Sequence, residues 1–245
     1  MNIDDVFAKF PKQRPRLPEA YQAIYDDFYY RNREGQYATT SLSRKLESWL
    51  HLKVAEDVRK SGAKNTLEIG AGTLNQLKYE PEGARYDVVE PFVKLYENSP
   101  YRNRVDTFYA DISEIPPGKQ YDRILSVATF EHITNLPEVV ARAALLLKSG
   151  GTLRTSIPNE GKWPWRLGTM VTGAEFSARY HLNYQVIMRH EHVNTADEIE
   201  SILDYFFAKN HHSVFGLNKT LALYRFYESY EPKVNRAQEF LARLH

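Results

Sequence analysis

Residues 66–77 read TLEIGAGTLNQL, a short apolar run that passes directly into two closely spaced glycines. The run TLEI at 66–69 has the length and composition of a strand that is buried on both faces of a parallel sheet. Glycine at Gly70 and Gly72 lets the backbone turn sharply and approach a ligand without an intervening Cβ atom. We therefore predict a ligand-binding turn between a central strand and the helix that follows it.

Strand-like and helix-like segments alternate after this turn. Further strands are predicted at 86–91, 104–111, 121–127, 151–158, 212–216 and 220–228. The last two strands are joined by a short connection, which favours an antiparallel hairpin at one edge of the sheet. The pattern predicts an α/β fold of the Rossmann-like, doubly wound type, with a mostly parallel seven-stranded sheet and an antiparallel C-terminal hairpin.

Helix signals mark the connections between these strands. Asn135 is predicted as an N-cap, and the helix that it opens is expected to end at Gly150-Gly151. Thr195-Ala-Asp-Glu198 has the spacing of a capping box. Before the first strand, apolar residues at helical spacing predict two helices, at 19–31 and at about 42–58.

We expect one domain of 245 residues, without a second folding unit. Residues 1–62 are predicted to form an N-terminal helical cap, which starts with a proline-containing arm that is loose or wraps the fold. Residues 63–158 are the predicted ligand-binding core. Residues 159–194 form a polar and aromatic insertion without clear periodicity on the substrate side, and residues 195–245 form the C-terminal helix and strand hairpin.

Composition narrows the function classes. Lys and Arg number 32 against 31 Asp and Glu, so the basic excess that is typical of nucleic-acid binding is missing. The chain has no cysteine, which excludes disulfides, cysteine nucleophiles and thiolate metal sites. The start MNIDDVFAKF lacks the apolar segment of a signal peptide, and no apolar run has the length of a membrane span. We expect a cytoplasmic protein with no nucleic-acid or membrane partner; the sequence allows a homodimer.

An acidic residue refines the ligand class. Glu90 ends the second predicted strand, 18 residues beyond Gly72, where a carboxylate can accept hydrogen bonds from both hydroxyls of a ribose. The fingerprint of dinucleotide enzymes requires glycine at the sixth position counted from Gly70, but that position is Asn75. The turn therefore indicates a nucleotide-like cofactor other than a nicotinamide dinucleotide.

The ordered segments resemble class I S-adenosylmethionine (SAM)-dependent methyltransferases over about residues 64–160, and more weakly over the C-terminal hairpin. Glu68-Ile-Gly70-Ala-Gly72 resembles the first motif of the family, in which Glu68 would brace the loop or face the methionine amine. Asp111-Ile112 resembles the adenine-binding pair, although Asp111 also suits an N-cap. Glu131-His132 resembles the pair that many small-molecule members carry after the fourth strand. Leu74 departs from the family because it occupies the third glycine position of the first motif.

The resemblance implies SAM as the cofactor and S-adenosylhomocysteine (SAH) as its product. It also implies a set of cofactor-binding residues drawn from the carboxyl ends of the first four strands. These are Glu68, Gly70, Ala71, Gly72, Asn75, Glu90, Pro91, Asp111, Ile112, Ser126 and Val127.

The acceptor determines whether a base is needed. Methyl transfer depends mainly on alignment, but a hydroxyl acceptor also benefits from a base such as histidine. His132 is the first candidate because the fourth strand's carboxyl end faces the transferred methyl, although Glu131-His132 could instead orient the loop. His181, His190 or His192 in the insertion could be the base instead or could bind substrate, and His181 is the second candidate. His190-Glu-His192 has metal-like spacing, but spacing places no third ligand, so we expect exposed polar residues and no metal.

The segments GAGTLNQLKYEPE, VVEPFVKLYENS, SIPNEG and YQVIMRHEHVNTADEIE resemble bacterial methyltransferases associated with cell-surface polysaccharide assembly. This resemblance implies O-methylation of a sugar or nucleotide-linked sugar hydroxyl. Tyr29, Tyr37, Arg179 and Tyr180 are the predicted substrate residues. The aromatic residues of the insertion could stack on a sugar or base or could equally form a packed cap; they are Trp163, Trp165, Tyr180 and Tyr184. Two alternatives stay open: an N-methyltransferase acting on a small amine, and a non-catalytic nucleotide-binding module.

Overall fold

The computed structural model describes residues 2–25 and 41–244. One sheet contains the seven described strands, which are β1 (Thr66–Ile69), β2 (Tyr86–Val89), β3 (Thr107–Tyr109), β4 (Tyr121–Val127), β5 (Leu147–Pro158), β6 (Phe207–Gly216) and β7 (Ala222–Pro232). Their order is β3-β2-β1-β4-β5-β7-β6. The first five strands pair in parallel, whereas β7 pairs antiparallel with both β5 and β6. The predicted mixed seven-stranded sheet is confirmed.

The helices cover both faces of this sheet. They are α1 (Ile3–Phe7), α2 (Ser41–Val54), α3 (Glu56–Ser61), α4 (Val93–Tyr96), α5 (Leu136–Leu146), α6 (Trp163–Tyr180), α7 (Tyr184–Glu191), α8 (Ala196–Phe206) and α9 (Val234–Ala242). Residues 19–25 are also helical, and the remainder of the predicted helix 19–31 lies outside the described residues. None of the described helices combines the length and the apolar character that a membrane crossing requires.

Successive side chains of the central strand β4 pack into hydrophobic clusters on opposite faces of the sheet. Ile124 packs with α1, α5, α8 and α9 in the main core, while Leu125 packs with Val54 of α2 and Phe226 of β7. Successive side chains of a strand point to opposite faces, so the helices lie in two layers around the sheet. This arrangement leaves the carboxyl ends of β1, β2 and β4 together at one edge, where ligands bind in doubly wound folds.

The predicted helix at 42–58 is divided in two. α2 ends at Val54 and α3 begins at Glu56, with buried Ala55 between them. The carbonyl oxygen of Val54 accepts hydrogen bonds from Arg123 at 2.9 Å and from Arg154 at 2.7 Å. Two buried guanidinium groups on the sheet thus take over a carbonyl that a continuous helix would use internally, which accounts for the break.

The predicted end of the helix before the fifth strand was wrong. α5 ends at Leu146, and β5 begins immediately at Leu147. The pairing with β4 then moves from Tyr121–Leu147 to Arg123–Thr152, so residues 148–151 form a bulge that contains Gly150 with φ 77°. The glycines permit this bulge instead of ending the helix. Asn135 does occupy the N-cap position of α5, but its side chain makes no capping hydrogen bond.

The insertion contains two helices, α6 and α7, that the sequence pattern did not predict. Its apolar residues do not follow one helix face: Phe176 is buried, whereas Trp163 and Met170 are exposed. An amphipathic pattern therefore does not emerge from α6. By contrast, the predicted capping box is confirmed, since Thr195 and Glu198 make both reciprocal hydrogen bonds at the start of α8.

Residues 2–18 wrap the fold. The ring of Phe7 lies 4.9 Å from that of Tyr205, edge to face. Lys12 donates to the carbonyl oxygen of Val193 and to the carboxylate of Glu198, both at 2.7 Å. These contacts fix the N-terminal arm along the end of the insertion, so it forms one wall of the site described next.

Candidate active site

The glycine turn after β1 uses the left-handed backbone region three times. Gly70, Gly72 and Leu74 have φ values of 72°, 51° and 66°. A side chain in this region costs about 1–2 kcal/mol, so the leucine is strained where a glycine would not be. Its side chain is fully buried in a cluster with Ala71 and Leu77, and this burial offsets the strain. Leu74 thus keeps the backbone course of a glycine at that position.

Glu90 fastens the turn to the end of β2. One carboxylate oxygen accepts from the amide of Gly72 at 2.8 Å, and the other accepts from the amide of Phe92 at 3.0 Å. Each carboxylate oxygen has two acceptor positions, so the pair retains capacity for further donors such as ribose hydroxyls. The predicted ribose acid therefore holds the turn in shape as well.

The side chain of Glu68 reaches Tyr86 of β2. It is 2% exposed, and its carboxylate accepts a 2.6 Å hydrogen bond from the hydroxyl of Tyr86. Burial raises the pKa of Glu68 to about 8, against the opposing effects of that hydrogen bond and of Arg123. Among the described residues, the side chain of this predicted cofactor residue hydrogen-bonds Tyr86 of β2, and no hydrogen bond joins it to the glycine turn.

Asp111 and Ile112 lie after β3. Asp111 is exposed and caps a short 3-10 turn, because one carboxylate oxygen accepts from the amide and hydroxyl of Ser113 at 2.8 and 2.6 Å. Ile112 is 4% exposed and belongs to the main core. Asp111 can therefore act as an N-cap and as an adenine-binding residue at once. One carboxylate oxygen caps the turn, and the second remains for the predicted contact with adenine.

The turn after β4 contacts the glycine turn directly. The hydroxyl of Thr129 donates to the carbonyl oxygens of Gly70 and Val127, both at 3.1 Å. Ser126 is fully buried, and its hydroxyl has no hydrogen-bond partner among the residues that the structure describes. The carboxyl ends of β1 and β4 therefore meet at the edge where a cofactor would lie, together with the hydroxyl of Ser126.

His132 follows on a 3-10 turn spanning Phe130–His132. Its Nδ1 atom lies 3.0 Å from the carbonyl oxygen of Glu191 and 3.2 Å from a carboxylate oxygen of the same residue. Because a carbonyl oxygen can only accept, Nδ1 carries the hydrogen, and Nε2 carries the lone pair of the neutral ring. The tautomer is thus set by the fold.

Glu191 ends α7 and is held from several sides. Tyr25 donates to its carboxylate, and the guanidinium of Arg14 lies 3.9 Å away. Burial acts to raise the pKa of Glu191, but the hydrogen bonds from His132 and Tyr25 and the charge of Arg14 lower it to about 2. Arg14 also donates to the carbonyl oxygen of His132 at 2.7 Å. The N-terminal arm and the insertion therefore fix His132 together.

Asn194 joins the end of the insertion to the turn after β4. It is fully buried, and its side-chain amide donates to the carbonyl oxygens of Phe130 and Ile133, both at 2.7 Å. The amide of Val193 donates to the carbonyl oxygen of Glu131 at 2.8 Å. These hydrogen bonds hold His192 next to His132, with ring centroids 4.8 Å apart.

Aromatic rings line the same position. Trp165 stacks on His192 at 6.0 Å and meets Tyr224 edge to face at 5.4 Å. The indole Nε1 of Trp165 and Oε2 of Glu131 are buried and have no hydrogen-bond partner in the described part of the chain. Burial and the charge of Glu131 raise the pKa of Tyr224. This aromatic wall, formed by Trp165, His192 and Tyr224, thus presents ring surfaces. The indole Nε1 and Oε2 of Glu131 add one donor and one acceptor that have no partner among the described residues.

Comparison with known proteins identifies the chain. Residues 37–206 match a family described as a methyltransferase domain, which is more than half of the 245 residues. The chain belongs to this methyltransferase family. It has no significant match among curated proteins.

Solved structures share the fold at low sequence identity. The plantazolicin methyltransferase BpumL with a pentazolic desmethylPZN analogue and SAH aligns with a TM-score of 0.61 and 14% identity, over 94% of this chain and 98% of that chain. NodS, an N-methyltransferase from Bradyrhizobium japonicum WM9 in complex with SAH, gives 0.55 and 15% over 87% and 100%. A possible histamine N-methyltransferase from Thermotoga maritima gives 0.55 and 15% over 86% and 98%. The predictions of the Rossmann-like methyltransferase fold, of an enzyme and of SAM as cofactor are confirmed.

The residues of this methyltransferase fit that cofactor. Glu90 retains acceptor positions beside the amide of Gly72, and the buried hydroxyl of Ser126 has no partner among the described residues. Ala71 and Gly72 complete the turn, and Asn75, Pro91 and Val127 flank it in the chain. The individual contacts to SAM stay predictions.

The other predicted residues that the structure describes make contacts away from His132. His181 is exposed at the C-cap of α6, and within the described residues its one hydrogen bond runs from its amide to the carbonyl of Ser177. Arg179 is exposed and lies over the ring of Tyr180 at 5.5 Å. Tyr29 and Tyr37 fall outside the described residues.

Sequence reasoning missed the surroundings of His132. Glu191, His192 and Glu160 come from the insertion, and Arg14 and Tyr25 come from the N-terminal segment. The one available signal was His190-Glu-His192, which we interpreted as exposed polar residues. His190 instead donates from Nδ1 to the carbonyl oxygen of Pro15 at 2.7 Å, so of the two histidines only His192 joins the group.

Proposed function

We propose that the methyltransferase acts on a hydroxyl oxygen of a small polar acceptor, a sugar or a nucleotide-linked sugar, with His132 as the base. The observation that carries the proposal is the hydrogen bond from Nδ1 of His132 to the carbonyl oxygen of Glu191. It assigns the lone pair to Nε2, on a turn that Thr129 ties to Gly70. An alcohol acceptor needs a base that can take its proton, and Nε2 of His132 offers a lone pair beside the glycine turn.

The roles of the protein groups follow from this arrangement. Bound SAM supplies a methyl group that its sulfonium centre has already activated. The acceptor hydroxyl would give its proton to Nε2 of His132 as its oxygen bonds to the methyl carbon, and the carbon–sulfur bond would break to leave SAH. Glu191 orients the ring through Nδ1 and favours the imidazolium that forms, since its carboxylate lies 3.2 Å away.

The aromatic wall supports a sugar acceptor. Trp165 and Tyr224 present ring surface on which the apolar face of a sugar can stack. The unpaired indole Nε1 can donate to a sugar oxygen, and Oε2 of Glu131 can accept from a hydroxyl. Buried polar groups without partners normally cost free energy, so a ligand that pairs them gains affinity.

A basic cleft supports a nucleotide-linked acceptor. It runs along the N-terminal arm to His192 and is lined by Lys9, Pro11, Lys12, Gln13, Pro15, Arg189, His192 and Val193. Lys9 and Lys12 both pair with Glu198, and Arg189 lines the same cleft. This positive charge suits the phosphates of a nucleotide sugar, and Arg189 is an exposed cation that can bind one.

A second candidate, N-methylation of a small amine, rests on Glu131. The residue is 1% exposed, its charge acts on the hydroxyl of Tyr224, and its Oε2 atom lacks a hydrogen-bonding partner among the described residues. A buried carboxylate near aromatic faces also suits an alkylammonium group. An amine attacks through its own lone pair once it is deprotonated, so His132 would matter less for this reaction.

An acceptor screen distinguishes the two candidates. Purified protein is incubated with SAM and either nucleotide sugars or small amines, and SAH and methylated product are measured by mass spectrometry. We expect product from a sugar hydroxyl, and the change His132→Gln should lower its turnover by about 10²–10⁴-fold while SAH affinity is retained. Turnover of amines alone, with less than a tenfold loss in His132→Gln, would replace the first candidate with the second.

A further inference from the structure

We propose that Glu131, His132 and His192 form a binding site for one divalent transition-metal ion of the zinc type. One ligand atom from each of these residues lies within 4.8 Å of the other two. Imidazole nitrogen and carboxylate oxygen are the ligands that such ions take in open, three-residue sites. The sequence expectation of no metal rested on the lack of a third ligand, and the fold supplies two ligands from the turn after β4.

The spacing fits a metal ion better than a direct contact. Nε2 of His132 and Oε1 of Glu131 are 3.8 Å apart. This exceeds hydrogen-bond length, which is at most about 3.2 Å for nitrogen and oxygen. Two metal–ligand bonds of about 2.1 Å at a tetrahedral angle span about 3.4 Å, so an ion can bridge these two atoms after a closure of roughly 0.4 Å. A pair at the 4.8 Å limit of the group needs a closure of roughly 1.4 Å, which rotation of the histidine rings can supply.

Each histidine is also oriented by its other ring nitrogen. Nδ1 of His132 donates to the carbonyl oxygen of Glu191, and Nδ1 of His192 lies 2.9 Å from a carboxylate oxygen of Glu160. Metal-binding histidines almost always give their second N–H to a carboxylate or a carbonyl, because this fixes the tautomer and ring direction. Both rings therefore hold Nε2 as the nitrogen that can bind an ion.

The carboxylate of Glu131 provides an independent indication. The residue is 1% exposed, and Oε2 is buried without a hydrogen-bond partner among the described residues. A buried carboxylate that lacks such partners is costly, and a cation beside it removes much of that cost. The group thus combines two oriented imidazoles with an acidic oxygen that needs a positive charge.

Such an ion would regulate the reaction proposed above, and this consequence rests on that proposed function. Metal binding uses the lone pair on Nε2 of His132, which the acceptor proton would otherwise take. The ion and the acceptor therefore compete for one nitrogen, and the bound ion is an inhibitor.

Metal titration tests the site without any methyl acceptor. Co²⁺ added to the full chain should bind at one equivalent and give visible absorption bands of a low-coordinate site, and Zn²⁺ should displace it. The changes His192→Ala and His192→Gln should each weaken Zn²⁺ binding at least tenfold in calorimetry. The matched control His211→Ala, at an exposed histidine of β6, should bind as the unmodified chain does. SAH binding and circular dichroism verify that each variant is folded.

The possible results separate the two proposals. Failure to bind Co²⁺ and Zn²⁺, or equal binding by folded His192 variants, would overturn the metal site whatever the acceptor screen gives. With an active acceptor, micromolar Zn²⁺ should inhibit and a chelator should restore turnover; stimulation by Zn²⁺ would overturn the inhibitory role. Metal binding with no methylated hydroxyl product would instead reject the proposed function and leave the site standing.

Discussion

Thr129 fills the space that a side chain on Gly70 would need. A Cβ atom on Gly70 would lie 2.5 Å from Oγ1 and 2.8 Å from Cβ of Thr129, and closer still to its methyl group. The Thr129 hydroxyl also donates to the carbonyl oxygen of Gly70. The turns after β1 and β4 are thus fitted to each other at the edge that holds the cofactor turn.

We expect Gly70→Ala to lower the free energy of unfolding by about 2–4 kcal/mol and to weaken SAH binding. The loss combines left-handed strain with overlap against Thr129. Chemical denaturation and calorimetry measure the two effects. Gly62→Ala is the control, because Gly62 also has a backbone conformation that favours glycine, with φ 86° and ψ −178°, but no described atom within 4 Å of its Cβ position. It should cost about 1–3 kcal/mol and leave SAH affinity intact. Equal effects of the two changes would show that contact with Thr129 is unimportant.

Glu191 should act as a positioning residue for His132. The change Glu191→Gln removes the negative charge beside Nδ1 but keeps the backbone carbonyl that accepts from it. We expect kcat for a hydroxyl acceptor to fall about 10–100-fold, while the KM for SAM stays within twofold. Steady-state kinetics give both values. The exposed Glu231→Gln serves as control, and a rise in the KM for SAM with unchanged kcat would contradict the assigned role.

The indole nitrogen of Trp165 should contribute to acceptor affinity. Trp165→Phe keeps a ring near His192 and Tyr224 but removes the unpaired donor Nε1. Loss of one hydrogen bond of about 1 kcal/mol corresponds to a roughly fivefold higher KM for the acceptor. Trp163→Phe is the control, since Trp163 is 56% exposed. If both changes shift the acceptor KM equally, Nε1 does not contact the acceptor.

Glu68 should give the stability of the protein a pH dependence. Its pKa is about 8 in the folded chain against an ordinary value of 4.5, because burial outweighs the hydrogen bond from Tyr86. The groups around it also include Glu80 and Glu90, which raise this pKa, and Arg123, which lowers it. The folded state holds the proton more tightly, so this contribution is complete below pH 4.5 and declines as the pH rises through 8.

The change Glu68→Gln should remove that decline. The difference in unfolding free energy between variant and unmodified chain should shift by a few kcal/mol in favour of the variant between pH 5 and pH 9, on the order of the pKa change. Denaturation midpoints across this range provide the measurement. The exposed Glu82→Gln should follow the unmodified chain. Parallel curves for Glu68→Gln and the unmodified chain would refute the raised pKa.

Local sequence was sufficient for the central elements. β1 and β2 are four-residue runs that are buried throughout, and such runs have few other uses than central parallel strands. The capping box at Thr195 and Glu198 was likewise readable, because both partners lie three residues apart. Prediction from local sequence failed where residues distant in the chain intervene. The helix predicted at 42–58 is broken at Val54 because arginines of β4 and β5 bind its carbonyl oxygen.

The sequence by itself determined the fold class, the glycine turn and the methyltransferase family, because these depend on residues that are close together in the chain. Tertiary structure alone decided the surroundings of His132. Glu191 lies 59 residues from His132, and Arg14 lies 118 residues from it on the other side. No periodicity relates such positions, since their meeting depends on how the arm and the insertion close over the end of β4. The backbone conformation of Leu74 also depends on tertiary structure. Burial of its side chain offsets the strain of a positive φ, which its neighbours in the sequence could not relieve.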